Sequence, residues 1–435
     1  MNQNIKVIRN AWWIIMSKII QSLLALVIGA ISARYLGPSN YGIISYAASI
    51  VAFVLPIAQL GIRNTIVQEL VEHPDDEGKI LGTTILSCII SAVFSIVGII
   101  SFVSIVNRGE TDTIIVCALY SVSLIFQMTE MIMYWFQAKL LSKYTSVTSL
   151  VAYVIVSAYK IFILITQKSV YYFSVVNVLD TLIISVILFC IYKKIGGGKL
   201  DFSYSLLKRI VSKSKYYIVS GMMVTIFAQT DKIMIKLMIG DAEAGFYQAG
   251  LTSAGMTSFV YAAIIDSFRP VIFESKIKNQ NNFNSNVSRL FSVVFYLGLL
   301  QSVFFTLFSK EIVMILYGNE YEATIKILQV ITWYSAFSYI GSIRNIWILA
   351  EGKQYLMLGI NLSGAVLNIV GNYILISLYG AIGAAVATVI TQMFTNFILC
   401  YILKELQPYR KIVFNALNPK TFIGVISGFK EGLKK

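Results

Sequence analysis

The sequence predicts an all-α polytopic membrane protein, and three observations carry that expectation. Hydrophobic residues make up 57% of the 435 residues and charged residues only 13%, far from the balance of a soluble domain. Apolar runs long enough to cross a hydrocarbon core of ~30 Å recur along the chain. A long basic segment, 193–215, divides these runs six and six.

Taken in order, apolar runs bounded by turn and charge signals give about twelve spans: 11–33, 41–62, 80–106, 113–137, 145–166, 170–192, 216–239, 244–267, 290–317, 323–349, 354–378 and 380–403. The first run lacks a small-residue cleavage site and reads as a first span rather than a signal peptide. Of the 35 Lys and Arg residues, about 25 fall on the side holding both termini, about 4 on the other and about 6 within spans. That bias predicts cytoplasmic termini and a multi-pass place in the cell (inner or plasma) membrane. The resulting organisation is an N-terminal six-helix lobe at 1–192, a basic cytoplasmic linker at 193–215, a C-terminal six-helix lobe at 216–403 and a basic cytoplasmic tail at 404–435. The basic segments either signal topology alone or meet anionic membrane lipids, at about 1 kcal/mol per residue.

The two halves share a local pattern. Leu36-Gly37 aligns with Ile239-Gly240, after which Gly42 meets Gly245, each where a second helix of its half begins. Such repeats occur in transporters whose substrate path lies between two lobes.

The runs ARYLGPSNYG (Ala33 to Gly42), LYGNEYEATIKIL (Leu316 to Leu328) and LNIVGNYILISLYGAIGAAVATVITQ (Leu367 to Gln392) resemble the polysaccharide-export branch of the multidrug/oligosaccharidyl-lipid/polysaccharide exporter superfamily. The resemblance implies two six-helix lobes around a central cavity, and no enzyme. It implies flipping of an undecaprenyl-diphosphate-linked oligosaccharide from the inner to the outer leaflet by alternating access, alongside polysaccharide polymerase machinery. A cation-coupled multidrug antiporter of the same superfamily is the alternative. A membrane-embedded glycosyltransferase or polymerase is a third, disfavoured because the longest loops have only about 20 to 25 residues between spans.

A pyrophosphate crossing a low-dielectric core needs cations, whereas an isolated charge there costs several kcal/mol. The within-span cations are Lys18, Lys160, Lys232, Lys236, Lys326 and Arg344. Arg344, within its span, has the planar fork that suits phosphate oxygens. Lys232, Lys18 and Lys160 are the further pyrophosphate candidates. For Lys18 and Lys160 a stem in the apolar layer with its ammonium at the interface is an equal alternative. Lys326, close to a span end, reads as a snorkelling residue.

Acidic groups in or near spans are Glu130, Asp180, Asp231 and Asp266. Asp231 and Lys232 are helix neighbours whose side chains diverge by about 100°, so they do not pair face to face. The resemblance implies a coupling ion, Na⁺ or H⁺, with a sodium site that falls here on Asp231, Asn368, Asn372 and Thr388. Asn368 and Asn372 share a face and offer neutral oxygens, although only one formal charge remains in the set. Amides gluing packed helices are the alternative. The four cysteines read as small core residues, His73 as a solvated loop residue, and Tyr134-Trp135-Phe136 as part of an aromatic belt. No phosphate-binding loop occurs, no cofactor is required, and no nucleic-acid partner is expected.

Overall fold

A computed structural model describes the backbone of residues 3–424 and the side chains of 20–424 apart from 23 and 64. Among the described residues every regular element is helical, because a chain immersed in lipid satisfies its backbone within its own helices. The first half holds α1 (Gln3–Ala58), α2 (Ile66–Glu72), α3 (Glu77–Val106), α4 (Thr111–Ser121), α5 (Ser123–Thr129), α6 (Met133–Ala138), α7 (Ser142–Ile165), α8 (Val170–Ile195) and α9 (Tyr204–Met238). The second holds α10 (Asp241–Ala254), α11 (Ser258–Lys278), α12 (Gln280–Leu307), α13 (Ser309–Leu316), α14 (Thr324–Ala350), α15 (Tyr355–Met393), α16 (Leu399–Ile402) and α17 (Gln407–Ala416). Eight described helices are long and apolar enough to cross a membrane. The count is nine when the pair Asp241–Ala254 and Ser258–Lys278, bent by 46°, is taken as one broken span. The protein is thus an all-α polytopic membrane protein.

The glycine pattern of the sequence has a backbone cause. Gly37 breaks α1 at φ 69°, ψ 169°, and Gly240 precedes α10 at φ 124°, ψ −177°. Positive φ with extended ψ is essentially closed to residues bearing a Cβ. Gly318 and Gly380 adopt the same conformation. At Gly240 a Cβ would meet nothing within 4 Å, so any penalty there is conformational. Gly240→Ala is expected to cost ~1–3 kcal/mol, read as a lower melting temperature of the purified protein. An unchanged melting curve would show that the backbone relaxes freely.

The chain forms two compact units, 1–236 and 237–435. In the first, α7 packs on α1 and α8, and α4 on α1, α3 and α8, around a core containing Tyr46, Cys88, Met128, Trp135 and Phe136. Trp135 and Phe136 are therefore core residues rather than belt: Trp135 Nε1 donates to Glu77 Oε2 at 2.9 Å. In the second unit α14 packs on α10, α12 and α15, with Phe291, Ile340, Trp347 and Tyr409 in the core. Three cysteines are buried and Cys190 is exposed.

The boundary between units falls later than the expected linker at 193–215. The turn after α8 is laid on α3, where Asp201 N donates to Gly78 O at 3.3 Å and a Cβ on Gly78 would stand 2.2 Å from Lys199 O. From Tyr204 the chain is one continuous helix, α9, tied to the first unit at both ends. Near its start, Arg209 Nη2 and Lys213 Nζ bind Glu69 of α2 at 2.9 and 2.6 Å. Burial alone would push the Glu69 carboxyl up, but the Lys213 hydrogen bond and the Arg209 and Lys213 charges outweigh it and hold it below the ordinary carboxylate range. His73 stands 3.9 Å from the same carboxylate. Part of the basic tail also folds: α17 packs on α12, and Tyr296 donates to Leu417 O at 2.7 Å.

Candidate functional site: the charges within the helices

A charge inside a membrane-spanning helix must be paired, hydrogen-bonded or directed to water. The partners of each within-span charge therefore separate structural groups from those available to a substrate.

Arg344, 4% exposed on α14, has its fork taken up by the protein. Nη1 donates to Thr395 O at 2.6 Å and to Asn396 Oδ1 at 2.9 Å. Nη2 and Nε reach Asn345 Oδ1 at 3.0 and 3.4 Å. Thr395 and Asn396 belong to a π-helical segment, Phe394–Ile398, directly after α15. Asn396 is seated against Gly341, where a Cβ would stand 2.6 Å from Asn396 Oδ1. Its Nδ2 donates to Phe337 O and Gln392 Oε1 at 3.0 and 2.7 Å. The expected phosphate fork is thus an interhelical clamp, because the π-helical segment offers it acceptors that the sequence does not reveal.

On α9, Lys236 pairs with Glu110, just before α4, at 2.5 Å. Glu110 Oε2 also accepts from Asn107 Nδ2 and Thr113 Oγ1 at 3.2 and 2.9 Å. Asn107 Oδ1 accepts from Tyr46 at 2.9 Å. Burial alone would push the Glu110 carboxyl up, but the hydrogen bonds from Lys236 and Thr113 and the Lys236 charge hold it below the ordinary range.

Asp231 is buried and partnered. Lys232, half-buried beside it, makes no salt bridge and no hydrogen bond among the described residues, and only the Asp231 charge reaches it. Lys160 on α7 lies within electrostatic reach of Asp180 on α8, and Asp180 also reaches Glu130 between α5 and α6. Glu130 Oε1 is buried without a hydrogen-bond partner among the described residues. Asp180, between Lys160 on one side and Glu130 on the other, makes a polar cluster that the sequence alone does not assemble. Lys326 is exposed, as a snorkelling residue would be. Lys18 lies outside the residues whose side chains are described.

Asn368, Asn372 and Thr388 are all buried on α15, which Gly380 breaks into two arms. The arms meet at the asparagine level, with a Cβ on Gly371 placed 3.4 Å from Ala387 Cβ. Asn372 Nδ2 donates to Asn368 Oδ1 at 3.1 Å, and Asn368 Nδ2 has no hydrogen-bond partner among the described residues. These three belong to the second unit and Asp231 to the first.

The fold defines the class: an all-α multi-pass membrane protein. It is similar to the structure of the lipid II flippase MurJ in an inward closed conformation, with a TM-score of 0.72 at 15% identity over 95% of this chain and 92% of that one. It is also similar to the inward-facing conformation of a multidrug resistance MATE family transporter of the MOP superfamily, with a TM-score of 0.67 at 14% identity over 92% and 96%. Residues 7–276, well over half of the sequence, match the family of polysaccharide biosynthesis proteins. The chain belongs to that family. A Shigella flexneri protein named for O-antigen transport is 22% identical over 407 residues, 88% of this chain and 94% of that protein.

Proposed function

We propose that the protein flips an undecaprenyl-diphosphate-linked oligosaccharide, the repeat unit of a polysaccharide, from the inner to the outer leaflet by alternating access between two lobes. Family membership carries the reading: a polysaccharide biosynthesis protein, with a relative named for O-antigen transport that matches along nearly its whole length. The similarity of fold to a lipid II flippase supports the same chemistry. Counting the helices broken at Gly37 and Gly380 as two spans each, and adding the 27-residue α14, brings the nine spans to twelve. With the basic bias of the loops, this supports two six-helix lobes and cytoplasmic termini. The fold similarity to a multidrug transporter favours the antiporter alternative; the family match weighs against it.

Within this reading Lys232 is the pyrophosphate contact. Arg344 is committed to the π-helical segment and Lys160 faces Asp180, whereas Lys232 is tied to no acceptor among the described residues. Asp231, Asn368, Asn372 and Thr388 remain the proposed sodium set, with a proton as the alternative coupling ion. Asn368 presents a donor as it stands, and turning its amide by 180° would present an oxygen instead.

Complementation of a flippase-null strain tests the reading. Wild type restores surface polysaccharide, and Lys232→Gln lowers export at least tenfold at equal protein level. Asp231→Asn weakens dependence on the sodium or proton gradient. Failure of wild type to complement any such strain removes the function; undiminished export by Lys232→Gln removes the phosphate contact.

A further inference from the structure

One large cavity among the described residues is lined by none of the charged side chains described above. It is a groove of about 1190 Å³ in the first unit, walled by α1, α3 and α9. Phe53 and Ile57 line it from α1, Phe94 and Gly98 from α3, and Leu207 and Val211 from α9. Ser91 Oγ donates to Ile57 O at 3.0 Å and closes the floor between α1 and α3. Phe94 is 72% exposed, so the groove opens sideways, within a helix apolar enough to cross the membrane.

The groove has a polar end and an apolar end. Ser203 N donates to Thr83 Oγ1 at 2.9 Å, which sets the start of α9 at the near end of α3. There Lys208 and Ser212 form the rim. Lys208 is exposed and makes no ion pair among the described residues, whereas its neighbours Arg209 and Lys213 are both bound to Glu69. From this rim the α3 wall runs from Ser87 to Phe102. At 1.5 Å per residue that is roughly 22 Å, against roughly 15 Å for half of a ~30 Å hydrocarbon core. An acyl chain occupies one leaflet; a groove of this depth runs past the midplane.

We propose that this groove binds the chain of a long polyprenyl phosphate or diphosphate lipid, with the phosphate at Lys208. The proposal rests on the lipid-linked substrate argued above, and it adds a lateral loading site, at which the carrier's phosphate stands at Lys208 before it reaches Lys232. The length of the apolar wall singles out this occupant over an ordinary phospholipid, while the uncommitted cation at its mouth and the lateral opening suit an anionic lipid that enters from the membrane.

The test uses full-length protein in phosphatidylethanolamine and phosphatidylglycerol nanodiscs, with diazirine-bearing undecaprenyl phosphate as the probe. Photolabel is expected on α3 between Phe94 and Phe102 and on α9 near Val211. Gly98→Trp fills the groove, and a Cβ at this position meets no heavy atom within 4 Å; it is expected to cut labelling at least fivefold with the melting temperature retained. Should Gly98→Trp fold poorly, Val211→Trp blocks the opposite wall. Lys208→Gln is expected to weaken labelling about fivefold, the contribution of one lysine near an anionic headgroup. Labelling that ignores both tryptophans, or that excess phosphatidylglycerol displaces as well as unlabelled undecaprenyl phosphate does, overturns the proposal and leaves a groove filled by ordinary lipid. Complementation by wild type reads the transport function separately. Export without groove labelling removes the groove alone, and groove labelling in a protein that exports nothing removes the function alone.

Discussion

Arg344→Ala is expected to destabilise the second unit by about 3 kcal/mol and to lower export through loss of folded protein. The substitution removes charge-assisted hydrogen bonds worth about 1.5–3 kcal/mol each in water. Transmembrane cycles measure smaller values, because the unfolded helices also find partners in the bilayer, and so a sum near 3 is more realistic than the maximum. What remains is a buried Thr395 carbonyl and an Asn396 amide oxygen without their donor. On the scale of a 150–250-residue unit the loss corresponds to about 6–12 °C in melting temperature. Arg344→Lys keeps the charge but cannot span Thr395, Asn396 and Asn345 together, so it is expected to recover less than half of the loss. Thermal unfolding in detergent, with export normalised to protein level, distinguishes the two roles. A variant that melts like wild type but exports nothing would return Arg344 to substrate contact.

The same residue shows where a linear reading stops. That an arginine inside an apolar run must have strong partners follows from electrostatics alone. Which partners it has depends on a π-helical segment 51 residues further along, whose sequence FTNFI carries no signal of its backbone state. Spans ending in basic clusters were legible because lipid enforces both length and flanking charge. The Gly37 and Gly240 pairing was legible because a backbone conformation closed to every other residue writes itself as glycine. The continuity of α9 was not. Residues 204–215 are charged and read as a loop, and they are helical because Glu69, Thr65 and the α3 end supply partners from distant parts of the chain: Arg209 and Lys213 to Glu69, and Ser214 to Thr65 at 2.8 Å. Likewise the divergence of Asp231 and Lys232 follows from helix geometry, but the pairing of Lys236 with Glu110 does not.

That pair gives the second large effect. Glu110→Gln is expected to cost about 2–3 kcal/mol, because it removes the carboxylate that accepts from the Lys236 ammonium, whose side chain is 2% exposed. The range is set below the 3–5 kcal/mol of a fully buried pair, since Glu110 is nearly half exposed and water partly replaces it. Lys236→Met should cost less, about 1 kcal/mol, because the carboxylate left behind is hydrated. The double variant should therefore resemble Lys236→Met alone, giving a coupling energy of about 2 kcal/mol in the cycle. The pH dependence has a definite sign. A carboxyl held below its unfolded value contributes stability that is fully present above that value, about 4.3 for glutamate. It is lost as pH falls through the lower value of the folded state. Melting temperatures of the four proteins at pH 7 should thus show the coupling, and the same set near pH 3 should show it shrunken. A coupling near zero at pH 7 would mean that Lys236 reaches water, and that the end of α9 is fixed to the first unit by packing rather than by charge.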